Sequence, residues 1–144
     1  MPAPFDVTPI TPIAPAAGED LYVPGVCNIG PWEIRRRRRF AIIGFAAAAI
    51  LFAILVVAGA PAVARLIVLV PAWGGAFSWL QARRRFCGAY AMAGISNFVD
   101  GMAGRQTVSD PAAHRADIQA TVRMARDSFA IALVITVVAV LLPV

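Results

Sequence analysis

Two cysteines, one histidine and eight carboxylates are the side chains of this 144-residue sequence best suited to metal ligation, redox turnover or proton transfer. Cys27 and Cys87 are 60 residues apart, and no C-x-x-C spacing suggests a redox pair. With the single His114 they would complete a Cys-Cys-His set for zinc, yet the close spacings in which zinc ligands normally come are absent. Both sulfurs therefore read first as small packed residues, and second as a thiol pair or metal ligands. His114, beside Asp110 and Arg115, reads as a solvated helix residue. Asp100 and Asp110 stand alone, and neither a catalytic triad, paired carboxylates nor a glycine-rich phosphate loop of recognised spacing is present. The expectation is a protein that is not an enzyme, with no catalytic, cofactor-binding or metal residue.

The other chemistry is positive charge, and all 13 basic residues are arginine. Arg35, Arg36, Arg37, Arg38 and Arg39 form an unbroken run, and Arg83, Arg84 and Arg85 form a second. Such runs can be a nucleic-acid footprint, but both abut long apolar stretches. There they anchor topology and meet anionic lipid headgroups, each arginine contributing on the order of 1 kcal/mol near an anionic leaflet. Composition agrees: 60% hydrophobic and 15% charged, with a mean hydropathy of +0.74, against roughly 45–50% and about 25% in soluble domains. The chain reads as a membrane protein with no nucleic-acid partner and no small-molecule substrate. Abundant alanine without lysine suggests a GC-rich bacterial genome, hence a bacterial inner membrane.

These residues need elements to hold them. Residues 1–30 contain six of the 11 prolines, with Pro31 just beyond, and carry acids without a base. They read as an extended or disordered cytoplasmic arm, able to lie across a neighbouring subunit at up to about 3.3–3.6 Å per residue. Gly30-Pro31 followed by Glu33 marks a helix start. The helix over 31–60 includes 21 residues from Phe40 to Ala60 without a charge, enough for a bilayer of about 30 Å. After Gly59-Ala60-Pro61 a second span over 62–85 must return as a tight hairpin, with Pro71 as a kink, Arg65 reaching back to the interface, and Trp73 and Trp79 as packing or belt residues. Gly44 with Ala48, and Gly74 with Ser78, are the small pairs expected to let these spans approach. Residues 86–110 read as a cytoplasmic surface segment with Phe86, Tyr90, Ala93 and Asn97 on one helical face. Asp110-Pro111 then starts a long helix over 111–144, amphipathic first along Ile118, Val122, Ala125 and Phe129, and spanning last.

The fold class expected is thus an all-α membrane protein: three transmembrane helices and an extended proline-rich N-terminal arm. Arginine counting places Arg35–Arg39, Arg83–Arg85 and Arg115, Arg123 and Arg126 on one face, with Arg65 alone on the other. That gives a cytoplasmic N-terminus and a C-terminus outside. No ionisable residue falls within the three apolar runs Phe40–Ala60, Leu66–Ala82 and Phe129–Val144, which argues against a pump or coupled transporter.

The lead-in CNIGPWEIRRRRR at 27–39, the hairpin after it, QARRRFCGAY at 81–90 and SNF at 96–98 resemble a group of small uncharacterised bacterial membrane proteins. In that group a CNIGP stretch precedes the first span and an arginine, Phe-Cys block closes the second. The resemblance covers about Cys27 to Phe98. It implies that both cysteines, Asn28, Gly30, Glu33 and Asn97 belong to one cytoplasmic structural unit, and it implies no reaction. The function expected is a non-catalytic accessory or structural subunit of a larger membrane complex, such as a respiratory or photosynthetic assembly, whose partners are membrane lipids and other integral membrane subunits. The alternatives are a thiol- or metal-responsive protein using Cys27 and Cys87, and a small homo-oligomeric channel.

Overall fold

The computed structural model describes residues 21–101 and 104–143. Residues 1–20 of the expected arm lie outside the described residues. The fold is mostly helical, and three helices are long and apolar enough to cross a membrane.

Helix α1 runs Pro31–Val57 with Pro31 in its first turn and Glu33 beside it. Proline there gives up a backbone donor that has no acceptor anyway, and the acid meets the positive end of the helix dipole. Residues 58–61 reverse the chain. The second span then opens as a 3-10 turn, Ala62–Val68, and continues as helix α2, Leu69–Arg83. The sequence suggested a kink at Pro71. Pro71 instead falls in the first turn of α2, where its missing N–H and its ring cost nothing, and the change of helix type occurs just before it.

The third long apolar helix, here α4, runs Pro111–Leu141, and Asp110 caps it by accepting hydrogen bonds from Ala112 N at 2.9 Å and Ala113 N at 3.3 Å. Between α2 and α4 lie a short helix α3, Gly88–Ala93, and two strands, β1 at Ile95–Asn97 and β2 at Arg105–Thr107. The strands pair antiparallel, with Ile95 opposite Thr107 and Asn97 opposite Arg105. The all-α expectation is corrected by this ribbon. The segment expected at the surface is partly buried: Phe86, Cys87, Tyr90, Ala91, Ser96 and Asn97 face the interior of one end of the protein, while Ala89, Met92 and Ala93 are exposed.

Helix α2 packs along both α1 and α4. The contact surfaces are made of small residues. Ala48 of α1, Val68, Ala72 of α2 and Ala132 of α4 form one buried cluster, and α4 buries Ala113, Asp117, Ala120, Met124, Ser128, Ala132, Thr136 and Ala139. On α4 the stripe that reads as amphipathic lies largely outward: Val122 is 63% exposed and Phe129 42%. Helix association within a bilayer gains little from hiding leucine-sized groups, because lipid is as apolar as they are. Close van der Waals approach between small residues decides the interface instead. Large side chains such as Ile42, Ile54, Val134 and Leu141 accordingly point outward.

Gly44 supplies the closest approach, but toward Gly75 and not Gly74. A Cβ added at Gly44 would stand 2.6 Å from Gly75 Cα and 3.1 Å from the Pro71 carbonyl oxygen, whereas one at Gly74 would meet nothing within 4 Å. Ala48 is buried and Ser78 only partly so. Farther along, Arg65 stands at the hairpin end and turns in toward α4. It is buried, donates from Nη1 to the carbonyls of Ala139 at 3.3 Å and Leu142 at 2.9 Å, and lies over the Phe52 ring at 5.9 Å. A guanidinium at the carbonyl end of α4 meets the negative end of its dipole, tying all three helices together at the hairpin end.

Gly75→Ala or Gly44→Ala forces backbone apart and should lower stability by about 1–3 kcal/mol, while Gly74→Ala should be neutral or slightly stabilising. Thermal unfolding in detergent measures both, and equal behaviour of Gly74→Ala and Gly75→Ala would refute the Gly44–Gly75 contact.

Candidate functional site

The polar residues of this chain gather at the end of the helices opposite Arg65. Asn28, in the extended stretch before α1, pairs its side-chain amide with the backbone of Cys87 after α2. Its Nδ2 donates to the Cys87 carbonyl at 3.1 Å, and its Oδ1 accepts from the Cys87 N–H at 2.7 Å. Its own backbone is used on both sides, the N–H donating to Arg85 O at 3.2 Å and the carbonyl accepting from Asn97 N at 2.9 Å. The Gly30 N–H completes a parallel bridge by donating to Asn97 O at 2.8 Å. Only glycine fits at position 30, because a Cβ would stand 2.6 Å from the Phe98 carbonyl oxygen. Asn97 closes the following turn, donating to Gly101 O at 2.8 Å.

Beneath this lies Glu33, 1% exposed. Its Oε1 accepts from the Tyr90 hydroxyl at 2.7 Å, and Arg36 and Arg37 approach its two oxygens at 3.6 and 3.5 Å. Arg37 Nη2 also donates to Cys87 Sγ at 2.8 Å. A buried carboxylate is tolerable only with such company, since an isolated one is strongly disfavoured. Arg105 covers the Tyr90 ring at 5.3 Å, and Gln81 accepts from the Gly88 N–H at 3.3 Å. On the far side Asp117 of α4, wholly buried, accepts from the Tyr22 hydroxyl at 2.8 Å and the Gly25 N–H at 2.6 Å. These bonds fix a tight turn closed by Val26 N donating to Val23 O. Residues 21–30 are therefore laid against the body, although the sequence alone joined them to the extended arm.

Cys27, Asn28, Gly30, Glu33, Cys87 and Asn97 thus belong to one interlocked cluster. No disulfide joins the two cysteines; Cys27 Sγ faces the Ile29 carbonyl at 4.0 Å, while Cys87 is fully buried beside Arg37. Among the described residues no three of His, Cys, Asp and Glu gather as a metal ligand set. His114, expected to be solvated, is only partly exposed. Its ring lies under Gly94, and its Nε2 is buried without a hydrogen bond.

The arginine run is divided by the helix it begins: Arg36 and Arg37 turn to Glu33, whereas Arg35, Arg38 and Arg39 are exposed. Arg84 pairs with Asp127 at 2.7 Å, Arg83 stacks over Trp79 at 5.5 Å, and Arg85 is exposed. Sequence reasoning missed Tyr22, Gln81 and Asp117. The first two carry no spacing signal, and Asp117 was hidden in a helix read for its apolar stripe. An acid that falls at helical spacing with Ala113, Ala120 and Met124 could have found it.

Asn28→Leu leaves the Cys87 N–H and carbonyl buried without partners, and should cost about 2–4 kcal/mol. Denaturant unfolding in detergent reads the loss, and a change under 1 kcal/mol would show the pairing to be incidental. Tyr22 supplies a pH test. Burial first, then the hydrogen bond to the Asp117 carboxylate, push its phenol well above the usual range. The protonated phenol is the form the fold prefers, so its contribution is full below about pH 10 and lost as pH rises beyond. Phenolate absorbance of the native protein should contain a late-titrating component that Tyr22→Phe removes; a Tyr22 titrating at about pH 10 would contradict the contact.

No protein-family model, curated protein or solved structure matches this chain.

Proposed function

We propose that this chain is a non-catalytic accessory subunit of a larger complex in a bacterial inner membrane, with the arginine-rich end cytoplasmic and the hairpin bend and far end of α4 outside. The observation that carries this reading is the use made of the buried ionisable groups. Glu33 joins the start of α1 to α3, Asp117 joins α4 to the turn at 22–25, and Arg65 joins the hairpin to α4. Each locks one stretch of chain to another, and Glu33 and Asp117 are too enclosed to meet a substrate. What they support is a fixed polar end on a broad apolar wall. Within the chain α1 buries only Glu33, Ala41 and Ala48, leaving most of its surface for lipid or a neighbouring subunit. Orientation rests on the arginines, which cluster at the start of α1, the end of α2 and the first half of α4.

The thiol-responsive alternative has one observation in its favour, the Arg37 guanidinium at 2.8 Å from Cys87 Sγ. It predicts a readout that Cys87→Ser abolishes. The channel alternative has none, since the outward faces of α1 from Phe40 onward and of α4 from Phe129 onward are apolar.

Extraction in mild detergent, native electrophoresis and mass spectrometry of the resulting band test the proposal. Other membrane subunits in fixed ratio are expected, and recovery of the chain alone or only with copies of itself would overturn it. For orientation, a reporter active only outside the cytoplasm should give signal when fused at Ala62 or Val144 and none at Gly104. The reverse pattern would invert the topology.

A further inference from the structure

Arg36, Arg37 and Arg84 are ion-paired, but Arg35, Arg38, Arg83 and Arg85 are in no ion pair among the described residues. These four line one groove of about 780 Å³ between the start of α1 and the end of α2, with Ile29, Ile34 and Phe98 among its apolar walls. Four like charges around one concavity repel unless an anion sits among them. Among the described residues no carboxylate lines the groove to serve that purpose.

A second groove of about 420 Å³ continues from the first, sharing Arg38, Ala82 and Arg83. It follows α1 toward the spanning part of the bundle along Ala41, Ile42 and Phe45, with Trp79 of α2 opposite. Arg83, stacked on Trp79, stands at the junction. A cationic cup that opens into an apolar slot running down a membrane helix has the polarity of a phospholipid, phosphate first and acyl chain after. Among the described residues neither groove offers an acid to a choline or ethanolamine ammonium.

Arg85 adds an independent observation. The end of α2 closes with Phe86 N donating to Gln81 O, and the residue in between takes a left-handed φ of 52°. Glycine is the usual occupant of that position, so a side chain there is retained against local strain, and strain of this kind collects at binding sites.

We propose that this groove binds one anionic phospholipid, its phosphate held among Arg35, Arg38, Arg83 and Arg85 and one acyl chain lying along Ala41, Ile42, Phe45 and Trp79. The inference rests on the helices lying in a bilayer and is independent of which complex the chain joins.

The test titrates the full-length protein in non-ionic detergent with phosphatidylglycerol or with phosphatidylcholine of the same chains, and reads bound lipid by native mass spectrometry. One phosphatidylglycerol should be retained in preference to phosphatidylcholine. Arg35→Gln and Arg38→Gln should each weaken it about fivefold. Arg85→Gly should weaken it similarly while leaving the thermal midpoint unchanged or raised, which separates the loss of a ligand contact from a loss of fold; if that variant does not fold, the two glutamine variants carry the test. Arg123→Gln removes one charge from the same end, outside the groove, and should have no effect. Equal retention of the two lipids would overturn the proposal, as would an equal loss in Arg123→Gln, which would mean diffuse surface charge. Displacement of the lipid by inorganic phosphate at similar concentration would show an anion site that does not use the apolar slot, and would overturn it also.

Discussion

The pairing of the Asn28 side chain with the backbone of Cys87 is the constraint on which the arginine end of this protein depends. A helical hairpin is held by its turn at one end and is free to splay at the other. Here the free end is closed by an amide that imitates a strand partner, joining the residue three before α1 to the residue four after α2. Once those segments are fixed, Gly30 can receive Asn97, Glu33 can reach Tyr90, and Arg37 is caught between Glu33 and Cys87. The exposed arginines inherit their positions from this network. Arg37 is committed to the interior and Arg36 leans back to Glu33 from the surface, and the rest turn outward by helical geometry.

At the opposite end the same problem is solved by charge and dipole. Arg65 lies among apolar helices because the last carbonyls of α4 and the face of Phe52 surround it. Between the two ends the helices meet through alanine and glycine. The energy is distributed accordingly: directional hydrogen bonds at both ends, where unmet polar groups would be costly, and close dispersion contacts in the middle.

How far the sequence was legible follows from that division. Length, apolarity and the proline, glycine and aspartate punctuation were enough to find three long helices, the hairpin and the start of α4 at Asp110. Helix faces were not legible in the same way. Periodicity marks which residues share a face, but in a chain with lipid outside it does not say which face is inside, and the stripe at Ile118, Val122, Ala125 and Phe129 drew the reading away from the neighbouring face, where small residues and Asp117 are buried. Gly74 was preferred to Gly75 for the same reason: one residue of helix rotation separates open space from backbone contact. The grouping of Asn28, Gly30, Glu33, Asn97 and the cysteines came through a resemblance and not through spacing, because contacts across about 60 positions leave no local pattern. The ribbon of β1 and β2 was missed because three-residue strands carry too little alternation to register.

Asp117 holds Tyr22 and Gly25 across 95 and 92 positions of sequence. During synthesis the stretch at 21–30 is made before any of the three long helices, yet one of the residues that fixes it is in the last of them. Its hold on α4 can form only after α4 has been made and brought alongside α2. The part of the polar end that is made earliest therefore waits longest for its final contacts, and over that interval it is available to whatever insertion machinery or neighbouring chain stands at the membrane surface.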